Sequence, residues 1–121
     1  MHKLAVRYYR EGFNCSQCIL KAAETTYNIR VPKEAFNMCK GVVSGFGTGS
    51  FCCALVGAIM VFGHMFDEID TKHMRILLLD SFLQRYGSTQ CSILISRTND
   101  NCEQIIADIA DMTQQIIERF S

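Results

Sequence analysis

The chain has 121 residues, about the size of one domain and long enough to bury roughly two-thirds of its unfolded surface, so neither a disulfide nor a metal is needed merely to hold it together. Twelve Lys and Arg balance twelve Asp and Glu with no basic stripe to neutralise phosphates, which argues against a nucleic-acid partner. A hydrophobic content of 49% suits a well-filled core and leaves apolar surface to spare for a homodimer contact.

With a single proline, Pro32, and glycines concentrated between Gly41 and Gly63, the pattern favours helices over strands. A first helix covers residues 2–11 and ends at Gly12. Asn14 caps a second, with Ile19, Ala22, Ala23 and Tyr27 along one face. Residues 27–31 could be extended, but no strand is available to pair with them. Pro32 opens a third helix bearing Ala35, Phe36, Cys39 and Val43. After a glycine loop, residues 51–66 are apolar almost all round, the mark of a central helix. Residues 41–66 carry no charge, yet the apolar helix proper runs only about 13 residues to Gly63, short of the ~20 that a bilayer span needs. A membrane is therefore not expected.

Asp70 is a candidate cap for the next helix, which ends at Gly87. Ser88 starts a short turn of helix to about Ile95. Asn99 or Asn101 caps the last helix, where Ile105, Ile109, Met112 and Ile116 follow the spacing of a packed seam. The expected fold is all-α: a single compact helical bundle of about five to six helices, forming one domain over residues 1–121.

Seven cysteines is a high and odd count. The first residues, Met1-His2-Lys3-Leu4-Ala5-Val6-Arg7, do not read as a signal peptide, so the expected setting is a reducing cytoplasm, where structural disulfides are uncommon. Cysteines there serve as small hydrophobes, metal ligands or redox thiols. Cys15 follows the Asn14 cap, Cys52 and Cys53 lie just inside the central helix, Cys91 stands three residues after Ser88, and Cys102 follows Asn101. Each falls in the first turn of a predicted helix, where unpaired amides and the positive end of the dipole favour thiolate over thiol. That effect, about 0.3–1 kcal/mol and up to about 2 when partly buried, could bring a cysteine from its reference pKa near neutrality. Cys15 and Cys18 also form a Cys-x-x-Cys at a helix start, close enough to share a disulfide or a metal. Cys39 reads as a buried core residue.

Other groupings point less clearly to chemistry. Gly45-Phe46-Gly47-Thr48-Gly49-Ser50 lacks the ending of a phosphate-binding loop and reads as a turn that lets helices pack closely. His64, Asp67, Glu68, Asp70 and His73 read as a solvated loop with a capping aspartate rather than a metal or acid–base site.

Gly12-Phe13-Asn14-Cys15-Ser16-Gln17 resembles the opening motif of the CGCAxxGCC-motif (C_GCAxxG_C_C) family of redox-active proteins. Ser44-Gly45-Phe46-Gly47 leading into residues 52–60 is similar to that family's glycine-rich loop and its Cys-Gly-Ala-x-x-Gly signature, with Cys53 standing where the motif has glycine. Tyr86-Gly87-Ser88 with Cys91, then Cys102, resemble its C-terminal cysteines. The resemblance spans nearly the whole chain. It implies a helical domain with four characteristic cysteines, Cys15, Cys52, Cys91 and Cys102, in a redox or cluster-binding role.

Three functions follow as expectations. In a thiol–disulfide redox protein, Cys15 attacks, Cys18 or Cys52 resolves, and Cys91 and Cys102 complete the site; its partner is a redox protein or a small-molecule thiol or disulfide. In a metal or electron-transfer module, Cys15, Cys52, Cys91 and Cys102 hold an iron–sulfur cluster or zinc. In the third, the helical protein is structural or binds partners.

Overall fold

The computed structural model describes residues 1–121 and contains seven α-helices and no strand. They are α1 (His2–Arg10), α2 (Cys15–Tyr27), α3 (Lys33–Met38), α4 (Cys53–Met65), α5 (Glu68–Tyr86), α6 (Cys91–Thr98) and α7 (Cys102–Phe120). The fold is all-α, but the count is seven rather than five to six. The extra helix is α6: residues expected to make one short turn form an eight-residue helix that starts at Cys91 and ends at a left-handed Asn99. The third helix is shorter than its pattern suggested. It stops at Met38, and a single tight turn over Cys39–Gly41 follows.

Helix boundaries follow local chemistry. Asn14 and Gln17 form a reciprocal capping box, in which the Asn14 side chain accepts from the Gln17 amide at 2.9 Å and the Gln17 side chain accepts from the Asn14 amide at 3.2 Å. Their remaining amide groups donate to the carbonyls of Cys39 and Phe36 at 3.1 and 2.9 Å, which ties the start of α2 to α3. Asp67, not Asp70, caps α5 by accepting from the Asp70 amide at 2.8 Å. Gly87 ends that helix at φ +75°, and Asn101 caps α7.

Helix α4 is the hub, packing against α2, α5 and α7, while α1 lies across α2 and α7. Its apolar circumference is thereby accounted for: Leu55, Ala58, Val61 and Phe62 are fully buried. They join Ile19, Leu20, Met74, Leu78, Phe82, Ile106, Ile109 and Ile117 in one continuous core. The α2–α4 crossing is unusually close. A Cβ at Gly57 would stand 2.6 Å from the Ser16 carbonyl oxygen, so only glycine permits this approach. No helix is long and apolar enough to cross a membrane.

Candidate functional site: a cysteine-lined pocket

The close crossing places the first residue of α2 beside the first residue of α4. Cys15 and Cys53 are joined there by a disulfide, with their Cα atoms 5.9 Å apart and a separation of 38 positions in sequence. Ser16, fully buried, donates its hydroxyl to the Cys53 carbonyl and fastens the two helix starts together. The Asn-Cys-Ser-Gln stretch thus works as a unit: Asn14 and Gln17 fix the helix start, Ser16 grips α4, and Cys15 supplies the sulfur.

The glycine loop brings in the next cysteines. Gly45, Gly47 and Gly49, together with Ser44 and Phe46, adopt positive φ. At Gly45 a side chain would collide with the Ser50 backbone. This curl delivers residues 50–52 alongside 89–91: Phe51 bridges Gln90, the Cys52 amide donates to the Thr89 carbonyl at 2.9 Å, and the Cys91 amide donates to the Ser50 carbonyl. The loop's role is close packing, since Gly49 abuts Ser92 of α6. Cys91 is the first residue of α6 and Cys102 the first of α7, so four helices begin with a cysteine, and Cys52 is the N-cap of α4.

All five sulfur residues, Cys15, Cys52, Cys53, Cys91 and Cys102, line one pocket, closed by Ala54, Leu94, Ile95, Ile105 and Ile106. Its volume is about 40 Å³, space for a few water molecules and no more. The structure therefore brings Cys15, Cys52, Cys91 and Cys102 to one place and adds Cys53. Cys18 is not among the lining residues. It is fully buried one turn along α2, its thiol donating to the Cys15 carbonyl at 3.2 Å, and burial pushes its pKa up to about 12. The disulfide partner of Cys15 is Cys53, rather than Cys18 or Cys52, the two resolving cysteines expected from the sequence. Cys39 is a core residue, its thiol donating to the Ala35 carbonyl at 3.3 Å.

For two of the helix-start thiols, Cys52 and Cys91, the expectation of titration near neutrality is corrected. Burial raises the pKa of Cys52, against the lowering effect of the Ala54 and Leu55 amides, and the neighbouring Cys91 and Cys102 raise it further. Burial and then Cys102 raise that of Cys91. Desolvation outweighs the dipole because the pocket wall is apolar. On α1, the Tyr9 hydroxyl is held above its ordinary pKa by burial and then by Cys102.

The family model for the putative redox-active protein family, C_GCAxxG_C_C, matches residues 13–116. The chain belongs to this family. No curated protein and no solved structure matches it. The family's motif also corrects the register read from the sequence. The one Cys-Ala-x-x-Gly in the chain is Cys53-Ala54-Leu55-Val56-Gly57, so Cys53 takes the motif's cysteine place and Cys52 its glycine place. The motif cysteine is thus the disulfide partner of Cys15, and the motif glycine Gly57 is the residue that permits the crossing. The Cys-Ala-x-x-Gly spacing was the signal in the sequence that could have identified Cys53.

No three Cys, His, Asp or Glu side chains are disposed to hold a metal ion, and two of the pocket's sulfurs are bonded to each other. The donor set as placed does not fit a four-cysteine iron–sulfur or zinc site. His64 stands in the last turn of α4, about 18 Å along the axis from Cys52. His73 packs edge-on against Phe120, with ring centroids 5.5 Å apart.

Proposed function

We propose that this protein is a thiol–disulfide redox protein whose working bond is Cys15–Cys53. The observation that carries this reading is the position of the bond, on the wall of a pocket shared with three further thiols. In a reducing compartment, the setting expected from the sequence, such a bond forms and breaks rather than serving as a permanent staple.

Accessibility sets the direction of attack. Cys53 is 2% exposed, whereas Cys15 is only half-buried. The thiolate of a partner dithiol, whether protein or small molecule, attacks Cys15 Sγ. The Cys15–Cys53 bond breaks, and its electron pair passes to Cys53. The leaving thiolate forms at the first residue of α4, where free amides and the helix dipole stabilise it until it takes a proton. The partner's second thiolate then attacks its own sulfur in the mixed disulfide and releases Cys15. Partner dithiol has become disulfide, and the protein has gained two electrons and two protons.

Thiol counting tests this. Alkylation of the denatured protein should label five cysteines before reduction and seven after, with the difference mapping to Cys15 and Cys53 and reversing on mild oxidation. Seven labelled cysteines after oxidation, or full oxidation that leaves Cys15 and Cys53 labelled, would refute the assignment.

The homodimer reading has its best surface on α5. There Ile69, Ile76 and Leu83 repeat every seven residues and are 80%, 60% and 46% exposed, a spacing suited to the same helix of a second copy.

A further inference from the structure

The Cys15–Cys53 couple uses two of the pocket's five sulfurs. Cys52 is buried, but Cys91 and Cys102, like Cys15, are half-buried and more open than Cys53. They open consecutive helices joined by the three residues 99–101, where Asn99 and Asp100 adopt φ +54° and +64° and turn the chain sharply. Both line the same small space as the disulfide.

The size and lining of that space matter. At about 40 Å³ it is too small to enclose a whole peptide, nucleotide or glutathione disulfide, and every residue of its wall is apolar or sulfur-bearing. A space this small that gathers five sulfurs is suited to traffic between the sulfurs themselves.

We infer that Cys91 and Cys102 form a second dithiol–disulfide couple that exchanges with Cys15–Cys53 across the shared pocket, giving the protein an inner and an outer redox pair. This rests on the reading of Cys15–Cys53 as the working bond. The exchange needs no outside oxidant. One thiolate of the outer pair attacks Cys15 Sγ, the bond to Cys53 breaks, and Cys53 leaves with the electron pair. The second outer thiolate then attacks the outer sulfur of the new bond and releases Cys15. The disulfide has moved to Cys91–Cys102, and the two protons given up there reside on Cys15 and Cys53. With both pairs reduced the protein carries four electrons, and a partner can deliver or withdraw two of them at either pair.

The full chain, reduced without oxygen, is titrated with diamide, a two-electron dithiol oxidant, and its disulfides are mapped by mass spectrometry. Two successive losses of two thiols are expected: Cys15 with Cys53 and Cys91 with Cys102, leaving Cys18, Cys39 and Cys52 as thiols. In Cys102→Ser, with the Cys15–Cys53 bond already formed, the second outer thiolate is missing and the exchange should stop after its first step as a Cys15–Cys91 bond. Should that variant fail to fold, the wild-type titration decides alone. Formation of Cys15–Cys53 with five thiols persisting in excess diamide, or a second bond made through Cys52, would overturn the relay while leaving the first couple intact. Absence of a Cys15–Cys53 bond would overturn the first couple and the relay with it.

Discussion

Replacing Gly57 with alanine tests the feature on which the pocket depends. The added Cβ would meet the Ser16 carbonyl oxygen at 2.6 Å and the Ser16 Cα at 2.9 Å, both rigid backbone atoms. Ordinary contact begins at 3.4 Å, so α2 must retreat by about 0.8 Å. Overpacking of this kind costs roughly 1–3 kcal/mol. Alanine's better helix propensity returns up to about 1 kcal/mol, leaving a net loss of about 1–2 kcal/mol. The retreat also acts on the bond: a Cα–Cα separation of 5.9 Å would grow to near the upper end, about 6.8 Å, of what a disulfide spans. Thermal unfolding followed by circular dichroism, with both proteins reduced, should show a melting temperature several degrees lower. In a fixed redox buffer, a smaller fraction of Cys15–Cys53 should form. Gly63→Ala in the same helix is the control, because its Cβ would meet only a Thr71 methyl at 3.9 Å. It should stabilise by about 0.5–1 kcal/mol. A Gly57→Ala protein as stable as the parent would refute the close-approach argument.

Further predictions concern the surroundings of the site. Asn14→Ala removes one half of the capping box and the bond to the Cys39 carbonyl, and denaturant titration should show a loss of about 1–2 kcal/mol. Cys18 holds its proton up to about 12, above the ordinary thiol value, so the folded state binds that proton more tightly than the unfolded state does. Its stabilising effect is complete below the unfolded-state pKa and is lost as pH rises toward 12, at about 1.4 kcal/mol per pH unit. Chemical denaturation of the reduced protein should therefore weaken steadily in alkali, and Cys18→Ala should flatten that slope. Tyr86 is raised to about 12 by burial first and then by the Asp108 carboxylate that accepts its hydroxyl hydrogen. Asp108→Asn should shift tyrosinate absorbance to lower pH while leaving it above the ordinary tyrosine range. Ile76→Glu, on the outer face of α5, should convert a dimer to monomers in sedimentation without altering the thiol count.

Several features were legible because they are local. Asn14, Gly87 and Asn101 mark helix ends through their own side chains or φ, and the apolar circumference of residues 53–65 announces a buried helix before any partner is known. Helix α6 was read about three residues early because Ser88 looked like the cap, whereas the observed N-cap, Gln90, makes no side-chain capping bond; the loop bridge at Phe51–Gln90 sets the helix start instead. The gathering of cysteines follows from their recurrence at helix starts, but the identity of the bonded pair does not. Pairing depends on the α2–α4 crossing, which depends in turn on a single missing methyl at Gly57. The burial that raises Cys52 and Cys91 is likewise a property of the assembled wall, invisible to an argument from helix dipoles alone.

The bond between Cys15 and Cys53 closes a ring that contains all of α3 and the glycine curl. Tying a ring of this length restrains the disordered chain by about 4 kcal/mol, much of the margin that keeps a small protein folded. The redox state is therefore also a setting for longevity. With the ring opened, the chain visits cleavable forms more often, and its survival among proteases comes to report the thiol poise around it.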